Sequence, residues 1–273
     1  MVDTIAAARD VVVASDAQGD YNFLDLIGAP FDLTDRGVKG RGAPKALEAY
    51  VYAERGVYRS GETVNVSALL RDGDRRSYSM ANAPHTLVPG QAAIELHIRH
   101  MPGGKFTDHV FGAMKEKDIL RVEGPLGSFF LREDSDKPLI LLASGTGFAP
   151  IKALLEHMQH KGIQRPATLY WGGRRPGDLY LNDWVQARLA DMPHLTYVPV
   201  VSDALPADHW NGRTGFVHMA VLQDHPDLSG HQVYACGAPV VVDSARADFS
   251  SKAGLPAEEF FADSFTTEAD KAA

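Results

Sequence analysis

The sequence predicts a small antiparallel β-barrel followed by a doubly wound α/β domain. Two observations carry this. From about residue 46 to residue 131, short strand-like runs succeed one another, each broken by Gly or Pro, as in small barrels and sandwiches. From Asp136 onward, apolar strands alternate with helical segments, the pattern of a parallel sheet covered on both faces.

The elements follow in order. Residues 1–45 read as irregular, with Gly and Pro scattered through FDLTDRGVKGRGAPKA. AYVYAERGVY and ETVNVSALL read as strands separated by Arg59-Ser60-Gly61, and RRSYSMANAP, AAIELHIRHM and DILRVEGPLG continue the β pattern. Residues 46–135 are thus the expected barrel, EDSDK (133–137) the seam, and 136–273 the α/β domain. There, PLILLA is apolar on both faces, as a central parallel strand should be. A glycine turn and a helix follow it in SGTGFAPIKALLEHMQHKG. ATLYWGG, LTYVPVVSD and HQVYACG supply three further strands, and DLYLNDWVQARLADM, FVHMAVLQDH and APVVVDSARADFSSKAG three further helices.

Bulk properties exclude several classes. The 273 residues suit two ordinary domains. A net charge of −8 with no basic block argues against nucleic-acid or anionic-membrane binding. No apolar run approaches membrane-span length, and the N-terminus does not read as a secretory signal, so a cytoplasmic location is expected. The single cysteine, Cys236, can form neither an internal disulfide nor a four-cysteine metal or iron–sulfur site.

Four motifs point to chemistry. In Ser144-Gly145-Thr146-Gly147-Phe148-Ala149-Pro150, the glycines let backbone approach a pyrophosphate at a helix N-terminus; a plain strand–helix connection is the alternative. In Arg76-Ser77-Tyr78-Ser79, an arginine that can grip a diphosphate shares a strand face with a tyrosine that can stack on a ring, and Ser79 offers a hydroxyl; an ordinary edge strand would look similar. Gly103-Gly104-Lys105-Phe106-Thr107 reads as an anion cradle ahead of a helix capped by Thr107. Cys236-Gly237-Ala238-Pro239 ends a parallel strand, where open α/β sheets bind ligands, although a lone buried cysteine is more often packing.

The order R-x-Y-S, G-G-x-x-T, G-T-G-x-A-P, C-G-x-P resembles the ferredoxin–NADP reductase superfamily over about residues 61–267. GPLGSFFLR, YWGGRRPGDLY, WNGRTGFV and EEFFADSF add to the likeness, which is greatest to NAD(P)H–flavin reductases and to reductases serving hydroxylases, dioxygenases and deoxysugar dehydrases. The resemblance implies an FAD-dependent NAD(P)H oxidoreductase. Arg76 would contact the FAD diphosphate, Tyr78 would stack on the isoalloxazine, and Ser79 would bond near flavin N5. His97 and Arg99 would line the ribityl and phosphate region, and Gly103, Gly104 and Thr107 would hold the FAD phosphates. Gly145, Thr146 and Gly147, with Pro150, would seat the NAD(P)H pyrophosphate. Cys236 and Gly237 would lie near the nicotinamide, and Phe265 would cover the flavin's other face. Ser79, Tyr78 and Cys236 are the implied catalytic set.

Many such relatives carry a plant-type iron–sulfur domain. With Cys236 alone, the acceptor is expected to be a separate iron–sulfur or oxygenase-type protein, or else free flavin. A flavin reductase using FAD or FMN as substrate, and a non-catalytic binding protein with a defective flavin site, are the competing readings. Asp203 after Ser202 favours the 2′-hydroxyl of NADH over the 2′-phosphate of NADPH, against which Arg174 and Arg175 can be set. His157 and His160 read as a solvated helix face, and no metal site is expected.

Residues of about 10–72, with DYNFLDLIGAPFDLTDRG and RGVYRSGETVNVSALLRD, resemble bacterial alpha-macroglobulins instead, so the chain reads as composite. No macroglobulin activity is implied, because the Cys-Gly-Glu-Gln thioester run is absent. A barrel with an atypical first third would weaken FAD binding before NAD(P)H binding.

Overall fold

The computed structural model describes strand residues 4–8, 11–15, 21–25, 48–50 and 67–71, then 75–87, 93–116, 118, 120, 122 and 126–265. The α/β half is built on a six-stranded parallel sheet. Its strands are β7 (Leu139–Ser144), β8 (Ala167–Gly173), β9 (Leu195–Val201), β10 (Arg213–Thr214), β11 (Gln232–Gly237) and β12 (Phe260–Ser264), in the order β10-β9-β8-β7-β11-β12.

Side-chain alternation on β7 explains its all-apolar sequence. Leu139, Leu141 and Ala143 enter one core cluster and Ile140 and Leu142 the other. Helices α2 (Phe148–Lys161) and α3 (Asn182–Leu189) cover the first face through Ile151, Leu154, Leu155, Met158 and Val185. Helices α4 (Val217–Asp224) and α5 (Pro239–Ala253) cover the second through Val217, Val221, Val242 and Phe249. Each such fully buried aliphatic or aromatic side chain contributes about 1.5–3 kcal/mol. The chain leaves β7 for β8 on one side and returns as β11 on the other, so the crevice at their carboxyl ends is the topological switch point where such sheets bind ligands.

In the barrel half, β4 (Glu48–Tyr50), β5 (Ser67–Arg71) and β6 (Arg75–Ser79) form an antiparallel sheet. Of the stretch 46–60, expected to stand in for the barrel's first strands, Glu48–Tyr50 pairs with β5; the turn at 59–61 lies outside the described residues. AAIELHIRHM, expected as a strand, forms none among its described residues; it meets the chain just after β6 through a bridge between Met80 and Leu96, the bond from Ala81 N–H to Glu95 O (2.8 Å), and Asn82, which donates to Ala93 O (2.9 Å) and accepts from Glu95 N–H (2.9 Å). Among the described residues of DILRVEGPLG there is no strand. Helix α1 (Lys105–Gly112) inserts Phe106 among Tyr78, Leu96, Ile98 and Val110. Where irregular chain was expected, three short strands pair antiparallel: β1 (Thr4–Ala8), β2 (Val11–Ser15) and β3 (Tyr21–Asp25). The β-branched run Val11–Val13 gives the middle one its propensity. No described helix is long and apolar enough to cross a membrane.

Candidate active site

At the switch point the Gly145–Gly147 turn leads straight into α2. Gly145 adopts φ +54°, open to a residue without Cβ. Gly147 is buried against β11: a Cβ there would fall 2.1 Å from the Cys236 carbonyl oxygen. The turn can therefore lie flat on β11 only with glycine at 147. Trp171 secures it from the other side, donating its indole N–H to Gly145 O at 3.0 Å and stacking on Phe148 at 3.9 Å. A glycine turn held this way at a helix N-terminus has the form that suits an anion. Pro150, in the first turn of α2, is buried.

Cys236 is fully buried near the end of β11. The β11–β12 register places it opposite Asp263. Ser79, at the end of β6, reaches across from the barrel half and donates its hydroxyl to Asp263 Oδ2. Cys236 and Asp263 are thus direct neighbours across β11 and β12. Burial pushes the Asp263 carboxyl above its ordinary value, and the Ser79 bond and the neighbouring Cys236 offset this only in part. Burial also pushes the Cys236 thiol well up, and the Asp263 charge adds to it, so the thiol stays protonated. Ser79 and Cys236, both singled out from sequence, are thus joined by a residue that sequence reading missed. Its only signal was its place in EEFFADSF. Phe265, partly exposed, follows β12 and donates its N–H to Gly237 O (3.0 Å), which sets it beside the same site.

Arg76, Tyr78 and Ser79 lie along β6, with the Tyr78 ring tilted against Phe106 at 5.6 Å. A cleft of about 260 Å³ opens between the two halves, lined by Ser79, Asp263, Pro150, Gly127, Phe129 and His157 among others. Its size is near the lower end of small-molecule sites. With the Gly147 cradle and the Ser79–Asp263–Cys236 cluster, these residues fit a flavin on the barrel side and a dinucleotide on the sheet side.

Other expected residues sit differently. Helix α1 begins at Lys105 with Gly104 as N-cap, because the Gly104 carbonyl already accepts from Asp108 N–H (2.8 Å). Thr107 therefore does not cap the helix. Its hydroxyl lies within hydrogen-bonding distance of Met101 O (2.9 Å) and Gly104 O (3.2 Å). The Gly103 N–H donates to the Asp108 carboxylate (3.1 Å), so a phosphate at this turn would have to displace Asp108. Arg99 is exposed. His97 lies between the two halves, its ring nitrogens on Tyr180 OH (2.6 Å) and Glu95 (2.9 Å). His157 is buried against Glu133 (2.7 Å), not solvated, because the residues ahead of β7 fold over α2; His160 stacks on His85 at 3.8 Å.

At the carboxyl end of β9, Asp203 holds both arginines that could attract a phosphate. Its carboxylate lies 3.2 Å from Arg174 and 3.2 Å from Arg175, and its carbonyl accepts from Arg175 as well.

Comparison with known proteins agrees with this geometry. Residues 54–131 match the model of the oxidoreductase FAD-binding domain and residues 141–247 that of the oxidoreductase NAD-binding domain. The NAD(P)H-flavin reductase of Aliivibrio fischeri is 32% identical over 76% of this chain and 86% of its own length. The CDP-6-deoxy-L-threo-D-glycero-4-hexulose-3-dehydrase reductase of Yersinia pestis is 43% identical over 76% of this chain. This chain spans only 60% of that relative's length. The crystal structure of an Amycolatopsis cytochrome P450 reductase superposes with a TM-score of 0.66 at 26% identity, over 97% of this chain and 68% of that one. The chain belongs to the ferredoxin–NADP reductase-type family of FAD- and NAD-binding oxidoreductases. The FAD-binding match reaches back to residue 54, ahead of the start near residue 61 read from sequence, and so overlaps the alpha-macroglobulin-like stretch over residues 54–72.

Proposed function

We propose that this chain takes hydride from NADH at the Ser79–Asp263–Cys236 cluster onto bound FAD and passes the electrons to a separate protein. The observation that carries the reading is that cluster itself: a serine from the barrel hydrogen-bonded to a carboxylate of the parallel sheet, with a buried cysteine opposite that carboxylate at the switch point. Bound FAD would supply the link between two-electron chemistry at a nicotinamide and one-electron delivery to a partner. The chain's own residues position and shield. Gly145–Gly147 holds the pyrophosphate, Phe265 covers the reacting face, and Ser79 and Asp263 keep a hydroxyl proton at the point of transfer. Arg76 and Tyr78 hold the flavin, with the amides of α1 receiving its phosphates once Asp108 turns away.

The acceptor class follows from the relatives, whose names join them to a dehydrase and to a cytochrome P450. Within these 273 residues the single cysteine, Cys236, is buried in the site, so they hold no thiolate set for an iron–sulfur cluster. An iron–sulfur or oxygenase-type protein is the proposed partner. NADH is the proposed donor, because Asp203 both occupies Arg174 and Arg175 and would repel a 2′-phosphate. We also propose that the segment of about residues 10–72, of which 54–72 match the FAD-binding domain as well, is of alpha-macroglobulin-like origin, on the sequence likeness alone. Reductases that carry the same N-terminal segment ahead of their barrel would overturn that.

The test is an absorption spectrum of the purified protein, followed by anaerobic NADH. Flavin bands that bleach support the reading. A colourless protein that oxidises NADH only when flavin is added would replace it with the free-flavin reductase, and a protein that does neither would leave a binding protein.

A further inference from the structure

Lys152 lies on α2, five residues after the Gly147 turn, and is only 5% exposed. Its ammonium donates to Ala81 O (3.0 Å), Glu95 Oε2 (3.0 Å) and Glu156 Oε1 (2.7 Å). Ala81 and Glu95 belong to the barrel half; Glu156 is on α2 itself. The other Glu156 oxygen accepts the Ala83 N–H at 3.1 Å. One turn of α2 therefore grips the backbone that directly follows Ser79. The network runs on from Glu95 to His97 (2.9 Å) and from His97 to Tyr180 (2.6 Å). Tyr180 meets Trp171 edge-on at 5.2 Å, and Trp171 holds Gly145. A chain of directional contacts thus joins the pyrophosphate cradle to the strand that carries Ser79.

Stability does not account for this arrangement. An ammonium has three N–H donors, and all three are used here. Yet a buried ion pair gives little net stability over an apolar replacement of the same shape, because desolvation offsets the attraction. Such bonds do fix relative placement, since they are directional, whereas apolar surfaces can slide. Placement is what the proposed chemistry needs: Ser79 comes from one half of the molecule, Cys236 and Asp263 from the other.

We propose that Lys152 is a positioning residue that sets the separation of Ser79 from Cys236 and Asp263 by clamping the barrel to α2. The proposal rests on the reductase reading and adds to it a residue outside the site. The test compares wild type with Lys152→Met, close in shape and uncharged. Anaerobic flavin reduction by NADH, per bound flavin, should slow on the order of 100-fold, the cost of about 1 Å of misplacement. FAD content and the KM for NADH should stay near wild type. The long-wavelength charge-transfer absorbance of stacked nicotinamide and flavin should weaken. In flavin-free protein, hydrogen exchange at the Ala83 amide should quicken, while exchange in β7 and β8 should not.

Should Lys152→Met fail to fold, Glu95→Gln removes only the charge across the seam and should show the same split. An unchanged reduction rate overturns the proposal. So does a slower rate fully explained by lost FAD or a higher KM, or unchanged Ala83 exchange. A wild type that never reduces flavin defeats the reductase reading instead, and the exchange measurement still decides the clamp.

Discussion

Gly147→Ala is the sharpest structural perturbation of the cradle. The added Cβ would lie 2.1 Å from Cys236 O, 2.5 Å from Cys236 C and 2.8 Å from Gly237 Cα. Carbon contacts settle at about 3.5–4 Å, so the turn must retreat by more than about 1 Å. All three obstructing atoms are backbone of β11 and its end, so no side chain can rotate away. Overpacking of this kind costs about 1–3 kcal/mol, and rigid backbone on both sides puts it at the upper end. For a domain of this size that is a fall in Tm of roughly 6–12 °C. A shift of about 1 Å should also slow NADH-dependent flavin reduction by about 100-fold. Gly230→Ala is the control, since a Cβ there meets nothing within 4 Å. Thermal unfolding and anaerobic stopped-flow read both effects. A Gly147→Ala protein that matches Gly230→Ala in Tm and in reduction rate would refute the close packing of the turn on β11.

Other expectations concern the charges. Asp203→Ser should release Arg174 and Arg175 and raise the NADPH-to-NADH ratio of kcat/KM by about 10–100-fold, the worth of one or two charge-assisted bonds to phosphate; steady-state kinetics with both donors checks it, and an unchanged ratio would remove Asp203 from donor selection. Asp263 binds its proton more tightly in the folded protein than in the unfolded chain, because its carboxyl is raised. Stability should therefore fall as pH climbs from the ordinary carboxylate range through the raised value, where the folded state holds the extra proton. Asp263→Asn should remove this component of the slope in melting curves taken across that window.

Much of the nicotinamide half was legible because its strands are apolar on both faces. The helix after Gly147 and the glycine turn were legible for the same reason: a long apolar run with a glycine break has few other readings. Strand β12 was not. FFADS is short, mixes polar with apolar residues, and belongs to the sheet only because β11 lies beside it. Asp263 was invisible for a related reason, since its meaning comes from the register opposite Cys236 and from Ser79, 184 positions away. His157 looked solvated because helical spacing cannot show that Glu133 folds over it. Thr107 suggested a cap by residue type, but backbone bonding to Gly104 started the helix earlier. Nothing in the sequence marks Lys152, because its burial comes from the barrel half packed on α2.

Ser79→Ala measured by anaerobic stopped-flow, with NADH deuterated at the transferred C4 position as well as unlabelled, bears on the central claim most directly. The account predicts that Ser79→Ala keeps its FAD but is reduced far more slowly than wild type, with a primary isotope effect showing that hydride transfer is the slowed step. An unchanged rate of flavin reduction in Ser79→Ala, with FAD fully bound, would contradict it.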